Sequence, residues 1–292
     1  MSGPAPLRIG ARTFAWGRRT YLMGILNVTP DSFSGDGLLA SAGEAGTIAV
    51  AVAQARHLVE EGADLLDVGG ESTRPGHVPV DEVAELARVV PVIRAVRAAL
   101  PELPLSVDTT KAAVATAALD AGADLLNDVW AVGPSGVAVA RVAAERGVPL
   151  VIMHNRAEAA YEDVVAEVTA DLAAALDRAV ALGVPRERLI VDPGIGFGKT
   201  AEHNLALLHG LAALRSLGRP ILLGTSRKST IGWVLDLPVD ERLEGTLATT
   251  ALGIAAGVDL VRVHDVRANR RVARMADAIV RYGALPPLEE GP

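Results

Sequence analysis

The sequence predicts an α/β fold, a (β/α)8 TIM barrel preceded by a short N-terminal hairpin. The chain has 292 residues, which suits a barrel of about 250 residues with an extension. Eight short apolar runs alternate with helical stretches. Three of the junctions, "EEGADLLDVGG", "DAGADLLNDVW" and "AAGVDLVRVHD", follow one pattern. In each, glycine ends a helix and an apolar strand follows, which is typical of parallel strands buried on both faces.

The predicted elements follow one another along the whole chain. The strands are 21–28, 63–69, 104–109, 123–129, 149–154, 189–193, 220–225 and 259–264. The helices are 41–62, 80–100, 111–122, 136–147, 161–183, 200–218, 244–257 and 268–282. A doubly wound open sheet is the alternative, but no Gly-x-Gly-x-x-Gly follows the first strand.

The ends of the chain complete a single predicted domain, 1–292. The stretch "LRIGARTFAW", 7–16, predicts a hairpin within an N-terminal extension, 1–20, that caps the floor of the barrel. The tail, 285–292, is expected to be disordered.

Composition excludes several classes of function. The formal charge of −7 disfavours a general nucleic-acid binder, which would need a basic face. There is no cysteine, so disulfides, zinc thiolates and cysteine nucleophiles are excluded. The N-terminus has no apolar signal segment, and no uninterrupted apolar run reaches the ~20 residues of a membrane span. We therefore expect a soluble, cytoplasmic protein without a nucleic-acid or membrane partner.

The stretch "VDPGIGFGKT", 191–200, ends like a nucleotide-binding P-loop. That motif requires a glycine five residues before the glycine of its Gly-Lys-Thr. Pro193 occupies this position, and Gly194 makes the loop one residue too short. The spacing disfavours a nucleotide site, and Lys199 is interpreted as structural rather than phosphate-binding.

Polar side chains are predicted at the end of every strand, where barrels of this class carry their active sites. They are Asn27; Asp67; Asp108, Thr109 and Thr110; Asn127 and Asp128; His154 and Asn155, next to Met153; Asp192; Ser226, Arg227 and Lys228; and Arg262, His264 and Asp265. Buried charges need partners. The set therefore predicts a polar pocket for a flat polar molecule, with an anion held at its edge.

Individual members of this set have plainer interpretations. Thr109 and Thr110 are candidates for capping the next helix, and Asp265 for capping the last one. His154 is typical of a satisfied core histidine. Asp67 and Asp128 are interpreted as possible braces for neighbouring loops.

Seven blocks of sequence resemble the signature of the dihydropteroate synthases, in the family's order. They are "MGILNVTPDSFS" (23–34), "DVGGESTRPG" (67–76), "SVDTTK" (106–111), "NDV" (127–129), "DPGIGFGKT" (192–200), "SRKS" (226–229) and "RVHDV" (262–266). The resemblance implies condensation of p-aminobenzoate with (7,8-dihydropterin-6-yl)methyl diphosphate to give 7,8-dihydropteroate and pyrophosphate. It also implies a Mg²⁺ cofactor, a homodimer through outer helices, and a target of sulfonamides.

The resemblance also implies roles for individual residues. It assigns pterin binding to Asp108, Asn127, Met153, Asp192, Gly224 and Lys228. It assigns diphosphate binding to Asn27, Thr73, Arg74, Arg262 and His264, with Asn27 also a Mg²⁺ ligand. It frames the p-aminobenzoate pocket with Thr73, Pro75, Phe197 and Ser226. The residues expected to act in catalysis are Asn27, Arg74, Lys228, Arg262 and His264.

Three positions depart from the family pattern, namely Asp36, Trp130 and Thr230. They put details of the first loop and of the pocket shape in doubt. Two other functions are alternatives. One is a pterin-dependent methyltransferase, which would have no need of "ESTRPG" or "SRK". The other is a non-catalytic pterin-binding paralogue, which the intact arginines, lysine and histidine disfavour.

Overall fold

The computed structural model describes residues 3–28, 43–71, 80–131, 133 and 136–282. The strands are β1 Leu7–Ile9, β2 Arg12–Phe14, β3 Tyr21–Asn27, β4 Leu65–Gly69, β5 Leu105–Asp108, β6 Leu125–Asp128, β7 Leu150–Met153, β8 Leu189–Asp192, β9 Leu222–Leu223 and β10 Leu260–Val263. The α-helices are α1 Gly43–Glu61, α2 Glu82–Ala99, α3 Ala112–Ala121, α4 Gly136–Arg146, α5 Val164–Ala181, α6 Ala201–His209, α7 Ser229–Leu235, α8 Leu243–Ala256 and α9 Val266–Val280.

The eight strands β3 to β10 form one parallel barrel. Their order is β8-β7-β6-β5-β4-β3-β10-β9. The two ends of this order meet where Val191 forms a parallel bridge with Ile221, and the Val191 N–H donates to the Pro220 carbonyl at 3.0 Å. The predicted (β/α)8 barrel is therefore confirmed, and the open doubly wound sheet is wrong.

Two separate apolar cores hold the barrel together. The larger core lies between the strands and the surrounding helices. The smaller core lies inside the barrel, where the inward side chains of the strands meet those of the N-terminal hairpin. Its members are Leu7, Ile9, Phe14, Trp16, Tyr21, Met23, Leu65, Leu125, Val151, Ile190, Leu222 and Leu260.

The hairpin of β1 and β2 fills the floor of the barrel. Its register pairs Leu7 with Phe14, and Gly10 takes a left-handed conformation (φ 56°) in the two-residue turn. The ring centroids of Phe14 and Tyr21 lie 4.7 Å apart, so aromatic packing joins the hairpin to β3. The floor is closed to ligands, and the opposite end remains as the place for a site.

The helices differ from the prediction in two places. The helix predicted over 200–218 is interrupted at Gly210, and a 3-10 helix follows over Leu211–Leu217. Glycine disfavours a continuous helix, and a Cβ on Gly210 would lie 2.7 Å from the Val165 side chain. Helix α7 was not predicted, because its seven residues are too few to show a helical period.

Candidate active site

The site lies at the C-terminal ends of the barrel strands. Side chains alternate along a strand, so the residues two positions after the inner apolar layer also point inward. This alternation places Asp67, Asn127, Asp192, Gly224 and Arg262 in one layer directly above the apolar one. The inward positions therefore change from apolar to polar along β4, β6, β8 and β10, which builds a polar pocket on an apolar base.

Arg262 lies at the centre of this layer. Its Nε donates to Asp67 Oδ2 at 2.6 Å, and its Nη2 donates to Asp108 Oδ2 at 3.0 Å. Asn127 Nδ2 donates to the same Asp67 oxygen at 3.0 Å. Strands β4, β5, β6 and β10 are thus joined above the core by one charged network, which holds the guanidinium in one place.

Burial perturbs the carboxyl groups of the pocket. It raises the pKa of Asp108 to about 7, although Arg262 opposes the shift. Burial also raises the pKa of Asp192, against the opposing effect of Lys228. Perturbed carboxyl groups in one cleft are typical of functional sites. Both side chains are suited to exchange a proton with a bound ring, or to accept hydrogen bonds from its N–H groups.

Lys228 forms the wall beside Asp192. Its Nζ donates to the Ile195 carbonyl and lies 4.1 Å from the centroid of the Phe197 ring. Burial lowers the pKa of Lys228 to about 8, against the opposing effect of Asp192. The ammonium is therefore held by a carbonyl and an aromatic face, within the electrostatic influence of the Asp192 carboxylate.

The loop after β8 needs its glycines. Gly194, Gly196 and Gly198 all have positive φ values, of 68°, 82° and 55°. A Cβ on Gly194 would lie 1.8 Å from the His154 carbonyl oxygen, so the backbone packs too closely for any side chain there. The Gly194 N–H donates to Asp192 Oδ1 at 2.7 Å, which orients that carboxylate.

The rim on the β9–β10 side carries His264. Ser226 Oγ lies 2.9 Å from His264 Nδ1 and accepts from the His264 N–H at 3.2 Å. Next to it, Arg227 donates twice to the Asp265 carboxylate, at 2.9 and 2.6 Å. The capping role considered for Asp265 is wrong, because its side chain makes no cap bond to helix α9 and pairs with Arg227.

Several other sequence interpretations are now decided. Asp67 does more than brace a loop, since it binds Arg262 in the centre of the site. The capping role considered for Thr109 and Thr110 is wrong, because helix α3 follows Lys111 and has no side-chain cap bond. Thr109 Oγ1 instead accepts from the Lys111 N–H at 3.2 Å, as a local turn residue does. His154 is fully buried and hydrogen-bonded, as expected of a core histidine. The residue Asp67 was named from the sequence, but its partnership with Arg262 was not. That role could have been found, because an arginine pointing into the barrel needs a carboxylate partner.

The remaining candidates divide into two groups. Asn27, Met153 and Gly224 lie at the same end of the barrel; a Cβ on Gly224 would lie 3.9 Å from Asp192 Oδ2. Thr73, Arg74 and Pro75, together with Asp36 and the tail 285–292, lie outside the described residues. Trp130 and Thr230 are described; Thr230 is buried at the start of α7, and the Trp130 N–H donates to Asp128 Oδ1.

Comparison with known proteins defines the class of this barrel. The sequence profile of the pterin binding enzymes matches residues 23–264. This range spans the barrel from β3 to the end of β10 and contains the whole polar layer. The chain is therefore a member of the pterin-binding enzymes, a class of barrel proteins.

The relatives narrow the class to one activity. The chain is 50% identical to the dihydropteroate synthase of Clostridium beijerinckii, covering 94% of this chain and 100% of that protein. It resembles a Clostridium difficile dihydropteroate synthase crystallised in the presence of pteroic acid, with a TM-score of 0.86 and 48% identity over 92% of this chain and 99% of that one. It also resembles Xanthomonas albilineans dihydropteroate synthase with 4-aminobenzoic acid, with a TM-score of 0.87 and 42% identity over 94% and 98%. The chain belongs to the dihydropteroate synthases of the pterin-binding enzyme family.

Among the described residues, no helix is both long and apolar enough to cross a membrane.

Proposed function

We propose that this chain joins p-aminobenzoate to (7,8-dihydropterin-6-yl)methyl diphosphate, giving 7,8-dihydropteroate and pyrophosphate. The observation that carries the proposal is the group of polar residues at the C-terminal ends of the strands, above the apolar core, namely Asp108, Asn127, Asp192 and Lys228. The Xanthomonas albilineans relative has been crystallised with 7,8-dihydropteroate, the product of this reaction. The protein is accordingly a transferase.

The pterin ring would occupy the pocket above the apolar layer. A carboxylate accepts hydrogen bonds, an amide both donates and accepts, and an ammonium donates. Asp192 and Asp108 would therefore take ring N–H donors, Asn127 would match an adjacent donor and acceptor, and Lys228 would reach the ring carbonyl. Met153 and Gly224 would contact the ring, and Gly224 leaves room because it has no side chain.

The diphosphate would lie at the rim. Arg262 is held by Asp67 and Asp108, so its planar donors are oriented before the substrate arrives. His264, fixed by Ser226, stands near it on the same strand end. We propose that Asn27, Thr73 and Arg74 complete this subsite.

Asn27 is the residue proposed to hold Mg²⁺. Its amide oxygen lies 3.7 Å from the place where a Cβ on Gly69 would stand, at the end of β3 beside Asp108. Mg²⁺ in phosphate sites is held by one or two protein oxygens, with waters and substrate phosphates as the other ligands. A single amide oxygen fits that requirement, and the described residues contain no group of three or more acidic or histidine ligands that would form a separate protein-only site. The ion would supply positive charge that stabilises the leaving diphosphate.

The second substrate would bind between Phe197 and Ser226, with Thr73 and Pro75. The arylamine nitrogen attacks the exocyclic methylene carbon, a C–N bond forms, and the C–O bond to the diphosphate breaks. The amine then loses one proton. Because an arylamine is already nucleophilic, the residues mainly stabilise charge that moves onto the leaving group, and Arg262 and His264 are placed for that task. The electron-rich pterin would stabilise positive charge at the methylene carbon, which favours a dissociative transition state.

Release of pyrophosphate tests the proposal. The purified chain is mixed with the dihydropterin diphosphate and Mg²⁺, with and without p-aminobenzoate. We expect release that requires the amine and is inhibited by a sulfonamide. Pterin binding without release would favour the non-catalytic paralogue, and methyl transfer to a corrinoid protein would favour the methyltransferase.

We also propose a homodimer through the outer helices α8 and α9. These helices pack against each other and expose Leu252 (70%), Met275 (62%) and Ile279 (65%) to solvent. Met275 and Ile279 lie one turn apart on α9 and so share a face. Exposed apolar patches are typical of an interface between copies. Sedimentation equilibrium should give twice the chain mass, and Ile279→Glu should shift it toward the monomer. The cytoplasmic location stays a prediction.

A further inference from the structure

The loop after β8, residues 193–200, is held from two sides. On its inner side Lys228 binds the Ile195 carbonyl and faces the Phe197 ring. Near its C-terminal end the loop itself carries Lys199, which contacts His154 and which the proposed chemistry does not use. The question is what this second lysine does so close to the pocket.

Lys199 is surrounded by three acceptors. Its Nζ lies 3.1 Å from the Gly194 carbonyl, 3.0 Å from the Phe197 carbonyl and 2.9 Å from His154 Nδ1. A protonated lysine has three N–H donors and no acceptor. The three partners therefore match one ammonium, and His154 must accept at Nδ1.

His154 is a rigid anchor for that ammonium. Its ring is fully buried, and with Nδ1 accepting, its Nε2 carries the proton and donates to Asp171 Oδ2 at 3.0 Å. Its backbone N–H donates to the Asp192 carbonyl at 2.9 Å. Asp171 is also held by Arg156, at 3.0 and 2.8 Å. The anchor thus belongs to the scaffold of β7 and α5 and not to the loop.

Other bonds hold neighbouring parts of the loop: the Gly196 N–H donates to Asn204 Oδ1 at 2.8 Å, and the Tyr161 hydroxyl donates to the Gly198 carbonyl at 2.9 Å. Neither bond reaches the carbonyls of Gly194 and Phe197. The alternate residues of the loop are glycines with positive φ, which lose more conformational freedom on ordering than any other residue. The Phe197 N–H donates to the Gly194 carbonyl at 3.1 Å, so the same two residues that Lys199 binds form one turn. Lys199 therefore joins both ends of this turn to His154.

We infer that Lys199 is a positioning residue for the second substrate: it holds the turn 194–197 against the barrel, and so fixes the Phe197 ring that faces p-aminobenzoate. The inference rests on the proposed function, because it takes Phe197 as a wall of the arylamine pocket. The pterin pocket depends less on Lys199, since Asp108 and Asn127 stand on other strands. Asp192 is part of β8 itself and meets the turn through the Gly194 N–H.

The electrostatic surroundings make this role depend on pH, because all three donors are present only while Lys199 is protonated. Burial lowers the pKa of Lys199 to about 7, with Asp192 opposing the shift and Lys228 and Arg156 adding to it. Burial also lowers the pKa of His154 to about 4, so the imidazole stays neutral and can accept from the lysine. A neutral acceptor beside a lysine is a structural contact, unlike the open cationic site that a phosphate would need.

The test compares Lys199→Met with the parent in two measurements. In steady-state pyrophosphate release, we expect the KM for p-aminobenzoate to rise about tenfold, with kcat and the KM for the dihydropterin diphosphate within about twofold. In hydrogen exchange of the substrate-free protein, we expect the amides of residues 194–198 to exchange faster. The second measurement needs no activity, so it separates a failure of the loop argument from a failure of the proposed function.

Two further variants complete the design. Tyr161→Phe removes a hydroxyl that donates to the Gly198 carbonyl at 2.9 Å, and we expect a smaller change in the same direction. Arg281→Met is the matched control, because it breaks a buried ion pair, 2.8 Å long, between Arg281 and Asp277. This pair lies at the C-terminal end of α9 and not in the loop, so both KM values should stay unchanged. Equal loss of all kinetic constants in Lys199→Met and Arg281→Met would overturn the inference, as would unchanged exchange of the loop amides.

Discussion

Arg262→Met is the change whose consequences the structure defines best. The parent guanidinium pairs with two carboxylates that are almost fully buried, Asp67 at 2.6 Å and Asp108 at 3.0 Å. Methionine retains much of the volume but none of the charge. Breaking a buried ion pair from one side costs about 3–5 kcal/mol, because the remaining charge has no partner. We therefore expect the free energy of unfolding to fall by that amount near pH 8.

The pH dependence of this loss has a definite sign. Unfolded aspartate titrates near pH 4, whereas Asp108 in the folded parent has a pKa of about 7. Between these values the folded protein binds more protons, so its stability falls as the pH rises. Without Arg262 the pKa of Asp108 rises further, which makes the fall larger and extends it above pH 7. The difference between parent and variant should be smallest near pH 5 and largest near pH 8.

Urea denaturation followed by far-ultraviolet circular dichroism measures the loss of unfolding free energy and its dependence on pH. Arg227→Met is the control, because its pair with Asp265 lies at the same end of the barrel but its side chain is 33% exposed. The Arg227→Met variant should lose about 1 kcal/mol or less of its unfolding free energy, and this loss should vary little between pH 5 and pH 8. A loss below about 1 kcal/mol for Arg262→Met at pH 8, or an equal loss at both pH values, would refute the argument. Turnover of Arg262→Met, assayed where it is folded, should fall by at least about 100-fold.

Three further predictions follow from the same pocket. Asp192→Asn retains an oxygen for the Gly194 N–H but not the charge, so titration calorimetry should give pterin binding weaker by about 10–100-fold; unchanged affinity would remove Asp192 from the pterin site. The pKa of Lys228 is about 8, so kcat/KM for the dihydropterin diphosphate should fall as the pH rises through 8, and a profile flat to pH 9.5 would show that its proton is not required. Removal of divalent ions with EDTA should abolish pyrophosphate release, and Mg²⁺ should restore it. Asn27→Ala should need about tenfold more Mg²⁺ than the parent. An equal Mg²⁺ requirement in both proteins would exclude Asn27 as a ligand.

The sequence alone predicted much of the architecture. Apolar runs located the barrel strands, and a glycine at the preceding helix end marked several of them, because both signals are local properties of the chain. Position at a strand end also placed Asp108, Asn127, Asp192 and Arg262 at one end of the barrel. The break at Gly210 was missed, because it depends on how closely that backbone approaches Val165 on another helix.

Side-chain partnership is what the sequence by itself did not determine. Position showed that Asp67, His154, Lys199 and Asp265 lie near strand ends, but not whether each one binds a ligand, caps a helix or holds another side chain. Those roles depend on which residues far apart in the chain come within hydrogen-bond distance, such as Asp67 with Arg262, 195 positions away. Alternation along a strand is set by local backbone geometry and can be read from sequence. The pairing of charges across the barrel arises only when the strands close into a ring, and only the tertiary structure decided it.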